Sequence, residues 1–301
     1  LLRKVGQVTV AIKTMLNSKK VVPYIFLFPF IAFFLIFRLW PIVWSFLISF
    51  TSYFGGDITF IGIDNYIELF KDRVFWKSVG NTFYFVIIYN VIMIFVAIVM
   101  AVIVSSPKIR GRRIYRSIYF MPMAMMLPVV AIVFDLIFAK NIGLISSVFN
   151  VFGAELDVRW FGDMKLAMWG VIIMRVWRGV GYYCAYFLAG LAGISDDVYE
   201  AADIDGSGAI TTFFKITLPL LKPMLMFVVI MSTILSFQIF DEPWILTQGG
   251  PANSTLTLQM YLYQTSFLDG NLSKGSAVAY IMTLFMMFFS IMYVKQLSEK
   301  E

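Results

Sequence analysis

Two groups of residues could do chemistry. The first is a run of carboxylates, Asp196, Asp197, Glu200, Asp203 and Asp205, packed into ten residues. The second is scattered through apolar sequence: Arg38, Asp135, Arg175, Arg178, Asp241 and Glu242. Arg175 and Arg178 are three apart, so on a helix they share one face, and RGVGYYCAY adds Tyr182, Tyr183 and Tyr186 beside them. SFQIFDEPW adds Ser236, Gln238 and Trp244 around the Asp241–Glu242 pair. Aromatic faces stacked on CH groups, with polar side chains fixing hydroxyls, are the chemistry of sugar binding. The chain has no histidine and a single cysteine, Cys184, which excludes an internal disulfide, a His/Cys zinc site and histidine catalysis. The nearest approach to a phosphate loop, GNLSKGS from Gly270 to Ser276, has Lys274 before the glycine rather than after it. Without a Gly-x-Ser-x-Gly or paired aspartates in the apolar runs, a membrane-embedded enzyme has little support.

Composition says what must position these residues. Of 301 residues 60% are hydrophobic and 14% charged, against about 25% charged in soluble domains, so the chain reads as an all-α membrane protein. A crossing helix needs about twenty mainly apolar residues, and six segments qualify: 24–49, 80–104, 117–138, 166–192, 220–240 and 275–294. The expected division is a cytoplasmic segment 1–23, a six-span domain 24–294 and a cytoplasmic tail 295–301. The basic N-terminus lacks the compact apolar core and cleavage site of a signal peptide. The net charge of +6 lies beside the apolar runs, where positive-inside bias accounts for it, and no nucleic-acid partner is expected. Arg3, Lys4, Lys13, Lys19 and Lys20 before the first span carry no acid among them, and neither does SSPKIRGRRIYRS, with Lys108, Arg110, Arg112, Arg113 and Arg116. Both segments are therefore assigned to the cytoplasm. Six spans return the C-terminus to that side and make the acidic connection, 194–223, cytoplasmic too.

Within that connection Ser195 is a plausible N-cap, and Asp196 and Asp197 suit the positive end of a helix that runs to about Asp205. Gly206 and Gly208 end it. A second helix from near Ala209 stops before Pro219, and Pro223 starts the fifth span. An amphipathic helix resting on the negative inner leaflet would favour Lys and Arg, so the acids point instead to a protein cleft. Ala201 and Ala202 would let the backbone approach closely, leaving Glu200 and Asp203 for polar contacts.

YEAADIDGSGAITTFFKITLPLLKP, Tyr199 to Pro223, resembles the EAA loop of binding-protein-dependent ABC import permeases. Glu200, Ala201, Ala202, Asp205, Gly206, Phe214, Ile216, Leu218 and Pro219 stand at its spacing, with Ser207 where sugar permeases often have Ala. FDEPWILTQGGPANSTLTLQMYLYQTSF, Phe240 to Phe267, resembles an outer loop of carbohydrate permeases of the maltose and glycerol-phosphate type. FIGIDNYIELFKDRVFWKSVGNTFYF resembles the loop entering their second span, with Asn65, Tyr66, Phe75, Trp76, Asn81 and Thr82 in place.

The resemblance implies a type I ABC importer permease in a bacterial or archaeal cell membrane, with an EAA elbow between the fourth and fifth spans. It implies a second permease, expected to be a homologue. It also implies an external solute-binding protein and two cytoplasmic ATPase subunits, which bind the ATP and Mg, so this chain carries no cofactor and no catalysis. Carried over, Glu200, Ala201, Ala202, Asp203, Asp205 and Gly206 dock the ATPase, while Gln238, Asp241, Glu242, Arg178, Tyr182 and Tyr280 contact solute. In the alternative, the tyrosines pack on the partner permease and Arg178 pairs structurally with Asp241 or Glu242. A neutral sugar is the preferred solute, a sugar acid or sugar phosphate the alternative. An ion-coupled secondary transporter or channel subunit, using Asp135 or Glu242, would leave the elbow without a task.

Overall fold

The computed structural model describes residues 22–54, 57–106, 109, 111–140, 142–152 and 158–298. The expectations resting on Arg3 to Lys20, on Lys108 and Arg110, and on residues 299–301 lie outside the described residues. The first helix, α1 (Val22–Ile48), contains a π-helical turn at Leu35–Leu39 and buries none of its residues in the apolar window. Its C-terminal end leads into a hairpin, β1 (Thr51–Phe54) and β2 (Asp57–Phe60), paired antiparallel with Thr51 opposite Phe60. The chain is therefore not wholly α: TSYF and DITF are β-branched and aromatic enough to pair, and Tyr53 N–H donates to Ser273 Oγ at 2.9 Å.

After α2 (Asp64–Lys71) comes the longest helix, α3 (Arg73–Ser105). It starts seven residues before the expected 80 because the Asp72 carboxylate accepts from Val74 N–H at 2.7 Å and from Phe75 N–H at 3.4 Å, satisfying two orphan donors. Phe85, Tyr89, Met93, Ala97 and Ala101 recur every fourth residue along its buried face. They pack with Ile172, Cys184, Phe187 and Leu191 of α7 (Ala167–Ala192) in the main core. Between α3 and α7 lie α4 (Arg112–Ala124), α5 (Leu127–Ile137) and α6 (Leu144–Val151). The expected span 117–138 is not one straight helix. It turns by 98° between α4 and α5, because Met125 and Met126 are both extended, at ψ 145 and ψ 130, and Pro128 stands in the first turn of α5, where its missing N–H costs nothing.

The remaining helices are α8 (Asp196–Ile204), α9 (Ala209–Leu220), α10 (Lys222–Phe237), α11 (Asp241–Thr247), α12 (Leu258–Tyr263) and α13 (Leu272–Ser298). Among the described residues three helices are long and apolar enough to cross a membrane, and the bent pairs α4–α5 and α9–α10 raise this to five. Against six expected spans the difference is α7, 26 residues long but carrying Arg175 and Arg178. A second core joins Leu69, Phe75 and Val79 to Leu256, Leu258, Ala277 and Val278.

Candidate functional site: a capped elbow and a buried charge cluster

The elbow is built locally. Ser195 is extended, at φ −63 and ψ 139, and its hydroxyl accepts from Asp197 N–H at 3.3 Å; Asp196 and Asp197 occupy the first turn of α8. At the other end Ser207 N–H donates to the Ala202 carbonyl at 2.9 Å and Gly206 N–H to the Asp203 carbonyl at 3.1 Å. Gly206 sits between them at φ +71, which makes a Schellman cap, a conformation that suits a residue without Cβ. Thr212 Oγ1 donates to Ser207 Oγ at 2.9 Å, and the Tyr199 hydroxyl lies 3.4 Å from Thr217 Oγ1, so α8 folds back against α9. Contrary to expectation α9 runs through Pro219. A π-helical turn, Phe213–Thr217, precedes it, and the chain bends only at Leu221, by 69°, before α10.

Glu200, Ala201, Asp203, Asp205 and Gly206 are all exposed on this elbow. Ala202 is not: at 4% exposure it faces its own chain and supports α8 from below. Sequence reasoning missed the apolar members of the same surface, Ile204 at 87% exposure and Ile210 at 77%. An isoleucine directly before the helix-ending Asp205-Gly206 was the available signal. Exposed isoleucines beside the exposed Asp203 and Asp205 give this surface both apolar and acidic character.

The second site forms where α7 meets α11. Glu242 in the first turn of α11 is 2% exposed. Its Oε1 accepts a short hydrogen bond from Arg175 and lies 3.8 Å from Arg178 Nη1. Pairing of Arg178 with Glu242 matches the structural alternative, but the tighter partner is Arg175, which sequence reasoning named without assigning a role. The Arg175 guanidinium lies 6.0 Å from the centre of the Tyr89 ring on α3, a long cation–π approach. A cavity of about 140 Å³ adjoins the cluster, lined by Tyr89, Arg175, Arg178, Tyr182 and Tyr183 among others. The Tyr182 hydroxyl is 2.8 Å from that of Tyr186.

The other proposed contacts do not join this cluster. Asp241 is exposed and forms no ion pair among the described residues. Gln238 is exposed, with Nε2 3.4 Å from Met286 Sδ. The Tyr280 hydroxyl is used elsewhere: it donates to the Ile42 carbonyl and lies 3.1 Å from Ser45 Oγ, fastening α13 to α1. Its ring packs edge-on against Phe46. Arg38 and Asp135 are exposed and without an ion pair among the described residues.

Two stretches far apart in sequence meet beside the N-terminal part of α3. Asn81 Nδ2 donates to the carbonyls of Asn253 at 2.7 Å and Leu256 at 2.9 Å, and Leu258 N–H donates to Thr82 Oγ1 at 2.8 Å. Thr257 Oγ1 donates to the Ile239 carbonyl at 2.8 Å. The glycine-rich turn between α11 and α12, with Gln248, Gly249, Ala252 and Asn253 at positive φ, is thus anchored to α3 and to the segment after α10.

Residues 93–300 match the family described as binding-protein-dependent transport system inner membrane component. The chain is 33% identical to the probable ABC transporter permease protein YurN of Bacillus subtilis (strain 168), over 93% of this chain and 97% of that one. It is also 33% identical to the arabinooligosaccharides transport system permease protein AraP of the same organism, over 92% of this chain and 89% of that one. In fold it is similar to a chain of a bacterial ABC transporter involved in the import of the acidic polysaccharide alginate, with a TM-score of 0.82 and 18% identity. That likeness covers 93% of this chain and 96% of the other.

Proposed function

The chain belongs to the family of binding-protein-dependent transport system inner membrane components, and from that premise we propose that it is the permease subunit of an ATP-driven importer of a sugar or oligosaccharide. It forms half of the path through the bilayer with a second permease, takes solute from an external binding protein, and is driven by two ATPase subunits that bind ATP and Mg. The chain adopts six spans, α7 included, with both termini and the elbow in the cytoplasm. The observation that carries the coupling role is the elbow itself, a helix capped at both ends that bares Glu200, Ala201, Asp203 and Ile204 beside Asp205 and Gly206.

A rigid handle suits mechanical coupling. Closure of the ATPases moves α8, and α9 passes the movement to α10 across the 69° bend. Arg178 and Tyr182 bound the solute path at the cavity beside α7, where the buried Glu242 holds Arg178 from behind, with Gln238 and Asp241 presenting exposed polar groups on the adjoining segment. Glu242 lies between the two arginines and offsets part of their charge, which supports a neutral solute. A transport competition panel of neutral and acidic saccharides tests this: neutral sugars should compete, and strong preference for the acids would reverse it. Co-purification from membranes tests the importer itself. An ATPase and a second permease should accompany this chain, and solute transport without an ATPase would favour an ion-coupled carrier instead.

A further inference from the structure

α4 and α7 touch backbone to backbone at one level. A methyl group on Gly181 would lie 1.9 Å from the carbonyl oxygen of Tyr119, so no side chain fits between the helices there. From that crossing a cavity of about 390 Å³ runs along α7 to Ala192 and along α4 to Arg116, with Val104 of α3 at its back. This is more than twice the roughly 150 Å³ that accommodates a benzene ring. Its wall is apolar apart from Arg116 and Tyr119, with Cys184 and Leu188 among the lining. Arg116 is exposed and makes no ion pair among the described residues.

Those features together describe an amphiphile: a hydrocarbon slot within the bilayer, with a free guanidinium at its mouth. The sign of the head group follows from the surroundings. Arg116 closes a connection with five cations and no acid, from Lys108 to Arg116, and Arg112 lies one helical turn before it on the same face. Basic pockets between spans on the cytoplasmic side attract anionic head groups, and a zwitterionic lipid brings no net charge to oppose them. We propose that this cavity binds an anionic phospholipid of the cytoplasmic leaflet, with an acyl chain between α4 and α7 and the phosphate against Arg116. A helix of a partner protein fits the site less well, since it would have no use for the arginine and is wider than a slot pinned at Gly181.

The site is independent of the solute, and only the choice of leaflet rests on the orientation proposed above. The test uses the assembled importer, purified after incorporation into bilayers of phosphatidylglycerol and phosphatidylcholine and examined by native mass spectrometry. Retained phosphatidylglycerol is expected at about one per copy of this chain, with at least a fivefold loss in Arg116→Gln and in Ala189→Phe, and retention in Arg116→Lys. Uniform gel-filtration profiles would show that the variants are folded. Equal retention of phosphatidylcholine, unchanged retention in Arg116→Gln, displacement by inorganic phosphate, or no retained lipid at all would each overturn the proposal.

Discussion

A buried carboxylate held between two guanidiniums is a costly arrangement that becomes costlier when broken. Removing one member of a fully buried pair costs about 3–5 kcal/mol, and the cost here is smaller because Arg175 and Arg178 keep 22% and 19% of their side-chain surface exposed. Glu242→Ala should therefore lower the thermal unfolding temperature of the detergent-purified protein markedly. Arg175→Met combined with Glu242→Leu should recover much of the loss, since it removes both charges of the shorter contact. Asp72 behaves differently because it caps the N-terminus of α3. Burial opposes its ionisation, but hydrogen bonds from Tyr261, Val74 N–H and Phe75 N–H, with the charge of Lys274, hold its carboxyl below the ordinary 3.8. A carboxyl lowered by folding stabilises the fold above its unfolded value and loses that contribution as pH falls through its folded value. Asp72→Ala should thus cost about 1 kcal/mol at neutral pH, a difference that shrinks as pH is taken below 3.8.

At the scale of elements, the ends of α8 were legible because caps are written in neighbouring residues: Ser195, the two aspartates after it, and Gly206. Gly206→Val should strain the left-handed position by about 1–2 kcal/mol and fray the helix end, read as faster amide exchange at Ile204 to Ser207. The bend before Pro128 and the passage of α9 through Pro219 were not legible, since a proline permits either a break or an accommodated turn and the packing decides. Nor was the Arg175–Glu242 contact, which joins positions 67 apart, or the double anchor of Asn81 across 172 and 175 positions. Both partners of that anchor lie in segments matching carbohydrate permeases, but sequence similarity does not show that the two segments touch. Asn81→Ala would free two carbonyls and the turn they hold. Increased proteolysis between Gly249 and Leu256, with the rest of the chain intact, is the expected result.

For the whole molecule, the fold keeps two charged sites apart. One set of charges is buried between α7 and α11, whereas the carboxylates of α8 stand in the open beside the exposed Ile204, the division on which the proposed roles rest. On this division a change at the elbow should leave membrane insertion in place, weaken the hold on partners and disconnect solute delivery from ATP hydrolysis. The decisive measurement is ATP hydrolysis by the reconstituted importer, with and without solute-loaded binding protein, in Glu200→Lys and Gly206→Pro variants. Both variants should insert and retain their partners weakly, while the stimulation by solute disappears. Normal stimulated hydrolysis in both variants would contradict the coupling role of the elbow.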